Sequence, residues 1–168
     1  LVSGPTSISP PPFVGVVEVV PAQDMFQAVT SPQEQADFTF KAAAVADYTP
    51  PDYSDAKVKK REGDLSIPLK RTQDILKHLG EHRRPDQIIC GFSMETRDML
   101  ENSRVKLEKK NVDMICANNL KVDGAGFGVD TNVITLITRD RVEELPLLSK
   151  EAAAGRILDR AIALAGQA

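Results

Sequence analysis

Two short apolar runs on either side of a strongly charged stretch constrain this chain more than any other feature. Residues 87–92 (QIICGF) and 112–117 (VDMICA) have the length of single strands and fall short of a buried helix. Between them, residues 95–111 carry charge at about half their positions and hold neither Pro nor Gly, which predicts a solvated helix. Apolar strand, helix, apolar strand is the pattern of an α/β domain. Strands apolar on both faces place it among sheets that are largely parallel and covered on both sides.

The rest of the chain extends that pattern. Residues 14–20 form a β-branched run and predict a buried strand. A helix follows Pro21, with Met25, Phe26 and Val29 at helical spacing. Residues 36–45 (ADFTFKAAAV) predict a second strand, and residues 47–56, rich in Pro, Asp and Tyr, a loop. Residues 57–69 predict a hairpin turning at Glu62-Gly63-Asp64. Thr72 is the expected N-cap of a helix over 73–82. Residues 133–138 and 142–145 flank Arg139-Asp140 as a closing hairpin. Ser149 caps a final helix over 150–164, with Ile157, Leu158, Ala161 and Ile162 facing inward. The chain opens on Leu1-Val2-Ser3-Gly4, which reads as a strand tail entering a Pro-rich loop.

Length and charge narrow the function classes. A chain of 168 residues suits one domain, and its 42% hydrophobic content supports a core. A net charge of −3 without a long basic run argues against a nucleic-acid partner. No apolar run has the length to span a bilayer, so no membrane partner is expected. Cys90 and Cys116 lie in apolar runs and are expected as buried thiols in a reducing cytoplasm. His78 and His82 stand four apart, but no third ligand accompanies them, so a zinc site is rejected.

Ligands of open α/β sheets bind beyond the carboxyl ends of the strands. Several segments there can carry chemistry, each with a plainer reading beside it. In KAAAVADYTP, small residues expose backbone ahead of Asp47, a carboxylate that suits a ribose hydroxyl or a metal; a tight alanine strand ending in a turn is the plainer account. In an extended DAKVKKR, Lys57 and Lys59 share a side and could close over phosphates; an edge strand kept soluble by lysines explains them as well. The start of TQDILKHL offers free helix amides to a phosphate, as every helix start does. Lys106 and Lys110, at i and i+4, repel unless they meet an anion or water; a solvated face is the ordinary explanation.

Their order is more specific than any one of them. The succession AAAVADYTP, KVKK, TQDIL, GFSMET, KLEKKNVDMICAN, GFGVDTNVITLI and LPLLSKEAAAGRIL resembles the bacterial phosphopantothenate–cysteine ligase family along essentially the whole chain. In many bacteria this domain follows a flavin-dependent decarboxylase in one bifunctional polypeptide, and FMN is implied only where that half is present. The resemblance implies a Rossmann-like α/β fold with a flap, a cytoplasmic homodimer, CTP as co-substrate and Mg²⁺ as its counter-ion. The implied substrates are 4′-phosphopantothenate and L-cysteine, joined through an acyl-cytidylate with release of pyrophosphate and CMP.

The resemblance also assigns roles. Asp47 matches the residue contacting the nucleotide, and Ala42 and Ala43 the strand backbone beside it. Lys57 matches the first lysine of a flap and is the expected catalytic residue. Gln73, Asp74, Ile75 and Leu76 match the helix start lining the site; Gln73 stands where the family often has Pro. Phe92 matches an aromatic at the nucleotide, and Lys106 and Lys110 its two helix lysines. Metal ligands are not assigned. The family's glycine-rich front and its Asn for the acyl-cytidylate step have no counterpart here. The chain is therefore expected to be an N-terminally incomplete ligase domain, with a non-catalytic nucleotide-binding module or inactive fragment as the alternative. A Rossmann dehydrogenase is poorly matched, since the glycine cluster 124–128 lies late, before a hairpin.

Overall fold

The structure is a computed structural model describing residues 1–52, 56, 57, 59, 63, 64, 66–95, 98–119, 125, 126 and 128–166. In chain order its strands are β1 (Val2–Ser3), β2 (Val17–Glu18), β3 (Phe38–Lys41), β4 (Tyr48–Thr49), β5 (Lys70–Arg71), β6 (Ile88–Glu95), β7 (Met114–Asn119), β8 (Thr131–Asn132), β9 (Ile134–Ile137), β10 (Val142–Glu144) and β11 (Leu148–Ser149). The helices are α1 (Ala22–Thr30), α2 (Ile75–Glu81), α3 (Met99–Lys110) and α4 (Lys150–Ala165). The chain divides into two compact units: Leu1–Val29 with Ala43–Asp74, and Thr30–Ala42 with Ile75–Ala168.

The second unit is organised by a five-stranded sheet in the order β10-β9-β7-β6-β3. β3, β6 and β7 run parallel, β9 reverses against β7, and β10 reverses again against β9. Four of the five strands therefore point the same way, and helices cover both faces. This is the expected Rossmann-like α/β arrangement with an antiparallel portion. On one face, Ile88, Cys90, Met114, Cys116, Ile134 and Leu136 pack with Ala153, Ile157 and Ala161 of α4. Fully burying an Ile, Leu or Met side chain contributes about 1.5–3 kcal/mol. On the other face, Leu76 of α2 sits against Gly91 so closely that a Cβ there would lie 2.5 Å from its Cδ2. The Cys90 and Cys116 sulfurs meet at 3.5 Å inside the sheet. Both are free, buried thiols, and their mutual hydrogen bond, then burial, pushes the Cys90 thiol well above its ordinary range.

Charged groups fasten the margins of this unit. Arg83 donates to Asp113 at 2.9 Å, and Asp113 accepts the Ile89 amide at 2.8 Å, tying the approach to β6 to the start of β7. Ser149 caps α4 as expected, its hydroxyl accepting the Ala152 amide at 3.1 Å. The hairpin around Arg139-Asp140 also forms as expected.

The first unit is built from smaller pieces. β1 and β2 pair in parallel, and β4 pairs antiparallel with β5. A cleft of about 460 Å³ opens beside β1 and β2 under the proline loop, lined by Ser3, Thr6, Ile8, Pro10 and Val19 among others. α1 has no buried residue.

Several expectations change. The run 14–20 yields only a two-residue strand, and of its valines Val19 alone is buried. The strand expected over 36–45 ends at Lys41. Five residues of the expected 57–69 hairpin, Glu62 of its turn among them, lie outside the described residues, and the described ones form no strand; β5 pairs instead with β4. α3 starts at Met99 because β6 continues through Glu95. Leu158 and Ile162 of α4 face outward, and Ala153 takes a place in the core.

Candidate functional site

The predicted site residues fall into two groups. Ala43, Asp47, Lys57, Gln73 and Asp74 belong to the first unit; Ala42, Ile75, Leu76, Phe92, Lys106 and Lys110 belong to the second. In the first unit, Thr72 brings two of the segments together. It does not cap α2. Its hydroxyl donates to the Ala46 carbonyl at 2.6 Å and its amide to the Asp47 carbonyl at 2.9 Å. That places Gln73 beside Asp47 in a small β4–β5 platform. Asp47, Lys57, Gln73 and Asp74 are all exposed.

α2 begins only at Ile75, so Gln73 and Asp74 lie ahead of the helix they were expected to start. Ile75 and Leu76 are buried core residues whose side chains support the helix rather than line a cleft. Ala42 follows directly on Lys41, which stands opposite Gly91 in the sheet. It is exposed and close in register to Phe92. The Phe92 ring packs against the core on the α4 face, while its carbonyl serves the opposite face.

The most informative geometry is on α3. Ser103 and Leu107 are its buried residues, so positions 103, 106, 107 and 110 form the stripe that faces the sheet. Lys106 and Lys110 share that stripe and are half-buried. Lys106 donates from Nζ to the Phe92 carbonyl at 3.0 Å. The plain reading of these lysines as a solvated face does not hold. A lysine drawn toward a sheet gives up water on one side and needs an acceptor in return, and for Lys106 the Phe92 carbonyl supplies one.

Two features had little or no sequence signal. Gly80 lets the end of α3 approach α2: a Cβ there would lie 1.8 Å from the Lys110 carbonyl oxygen. Asn111 closes the same contact, donating to the Gly80 carbonyl at 2.9 Å from a left-handed backbone (φ 50°). Ser93 and Ser103 form a buried hydroxyl pair at 2.8 Å. Among the described residues, no group of three or more His, Cys, Asp or Glu side chains could hold a metal ion, and His78 and His82 merely stack at 4.0 Å.

The family described as the DNA/pantothenate metabolism flavoprotein C-terminal domain matches residues 1–164. The chain belongs to that family. It is 45% identical over 99% of its length to the coenzyme A biosynthesis bifunctional protein CoaBC of Bacillus subtilis (strain 168), covering 41% of that protein. The crystal structure of a CoaBC C-terminal domain superposes with a TM-score of 0.80 at 41% identity, over 99% of this chain and 76% of that one. A further relative, from an unknown prokaryotic organism, is 38% identical over 98% of this chain and 46% of its own length. It is named a cysteine/cysteine sulfinic acid decarboxylase. The chain thus spans less than half the length of these curated relatives. The matched residues include Asp47, Lys57, Lys106 and Lys110. No helix among the described residues is long and apolar enough to cross a membrane.

Proposed function

We propose that this chain is the phosphopantothenate–cysteine ligase part of a coenzyme A biosynthesis protein, acting in the cytoplasm as a homodimer. The observation that carries the reading is the stripe of α3 on which Lys106 and Lys110 face the sheet, within a domain 45% identical to part of CoaBC. Half-buried ammonium groups beside a strand's carboxyl-terminal half suit a polyphosphate more than a neutral ligand.

In this reading, a carboxylate oxygen of 4′-phosphopantothenate attacks the α-phosphorus of CTP and pyrophosphate departs, leaving an acyl-cytidylate. The cysteine amine then attacks the acyl carbon, CMP leaves, and the amine proton is lost to solvent. Activation is needed because a carboxylate would otherwise have to expel an oxide-like leaving group. Charge develops on phosphate oxygens in the first step, and ammonium groups fixed in place lower its barrier. Lys57 is assigned that part, with Lys106 and Lys110 holding the phosphates. Asp47 accepts from a ribose hydroxyl, and the backbone at Ala42, Ala43, Gln73, Asp74, Ile75 and Leu76 contacts the base and sugar. Mg²⁺ enters as the counter-ion of CTP, since the described residues offer no cage of their own for it.

The test measures pyrophosphate release from CTP and Mg²⁺ in the protein that carries this chain. Release requires 4′-phosphopantothenate, and product formation then requires cysteine. Lys57→Gln is expected to lower kcat by about a hundredfold, the size of losing one charge-stabilising donor. Unchanged turnover in that variant overturns the role of Lys57. Nucleotide binding by calorimetry without any turnover favours a non-catalytic binding module instead.

A further inference from the structure

Ser93 and Ser103 are ordinary serines in the sequence, yet both are buried, at 4% and 0% exposure, and their hydroxyls meet at 2.8 Å. Ser93 follows Phe92 on β6. Ser103 precedes Lys106 on α3 by three residues, so the two lie on the same side of the helix. Two hydrogen bonds therefore run side by side between one turn of α3 and two adjacent residues of β6: Ser103 to Ser93, and Lys106 to the Phe92 carbonyl.

These bonds differ in what a ligand does to them. An ammonium group has three donors and a flexible stem, so an arriving anion can draw Lys106 from its carbonyl. The hydroxyl pair is sealed from solvent and has no such competitor. It keeps α3 at one height and one rotation on the strand whether or not Lys106 has moved. Serine is also small, so it sets a close approach that a larger side chain would widen. We propose that the Ser93–Ser103 pair is a positioning device for Lys106, holding the lysine over β6 where it meets the phosphates of a nucleoside triphosphate. This assignment deepens the nucleotide site proposed above and rests on it for the identity of the anion.

The test uses the double variant Ser93→Ala with Ser103→Ala, measured on the full chain. Removing both hydroxyls leaves neither member of the pair facing a lost partner and opens no large void, so its melting temperature is expected to stay close to that of the parent. Trace acetylation with acetic anhydride, read peptide by peptide, gives the reactivity of Lys106 relative to exposed Lys109. The double variant is expected to raise that ratio about threefold or more, the scale of one lost hydrogen bond. Ser103→Cys, which keeps the size and a weak donor, gives an intermediate ratio. A ratio unchanged in the double variant overturns the proposal, whatever happens to stability. In a second arm, CTP with Mg²⁺ protects Lys106 in the parent, and the double variant needs about fivefold more CTP for the same protection. If the ratio shifts but CTP protects neither protein, the positioning role stands and the nucleotide reading falls.

Discussion

In the unit built on the five-stranded sheet, β7 enters with four consecutive buried residues, and every strand of the sheet except β3 and β10 is largely enclosed. In the other unit, the valine-rich run 14–20 leaves Val17 at 50% and Val20 at 80% exposure, and Val19 is the one buried hydrophobic residue among those described. Yet the second, better-packed unit holds the lysines nearest the sheet, and the sparsely packed unit holds Asp47 and Lys57. Few buried apolar side chains mean low local stability, so the first unit is expected to open more readily than the unit built on the sheet.

The sharpest way to break this contrast is to cut equivalent apolar side chains. Ile115→Ala, at a fully buried position of β7, is expected to lower the unfolding free energy by about 3 kcal/mol in urea titration. Val17→Ala on β2 should cost less than about 0.5 kcal/mol. Similar losses at both would mean that the first unit buries Val17 in solution.

A smaller effect is expected from glycines. Gly80→Ala forces its new methyl against the Lys110 carbonyl and should cost about 1–3 kcal/mol, with the end of α3 displaced. Gly15, in the first unit, has nothing within 4 Å of a built Cβ, so Gly15→Ala should stay within about 0.5 kcal/mol of the parent. Thermal melts of the pair check this.

The smallest concerns acid. Arg160 and then Arg156 hold the Glu143 carboxyl below its ordinary range. A carboxyl depressed in the folded state stabilises fully above the unfolded value, and that contribution disappears as pH falls through the folded one. Stability should therefore decline on acidification below the usual glutamate range, by about 1 kcal/mol or less for this group. Glu143→Gln should flatten that part of the profile, and an unchanged slope would assign it to other carboxyls.

The same contrast decides what the sequence could disclose. Residues 87–92 and 112–117 were readable because an enclosed strand must be apolar on both faces. The Arg139-Asp140 hairpin and the Ser149 cap are local chemistry, fixed by neighbours a few positions away. The run 14–20 misleads for the converse reason: β-branched residues announce a strand without stating what will cover it. Thr72 carries the right group for a cap and spends it on Ala46, a partner set by tertiary structure. On α3 two apolar residues point the wrong way. Leu100 and Val105 are exposed, and the stripe on the sheet is Ser103, Lys106, Leu107 and Lys110. The i, i+4 lysine spacing was legible, but which side of the helix it occupied depended on Ser93 and Phe92, ten or more residues away.

The path of the chain between β3 and β6 has one more consequence. Lys41 stands opposite Gly91, and between these sheet neighbours the backbone departs for residues 43–74 and then returns. Joining two distant strands carries a loop-closure entropy that grows only with the logarithm of the loop, about 0.6 kcal/mol for each doubling. The sheet is thus nearly indifferent to how long that excursion is. Insertions, deletions and whole replacements between Ala43 and Asp74 are therefore expected to leave the parallel pairing of β3 with β6 almost untouched, so this stretch can change in length and sequence while the sheet stays fixed.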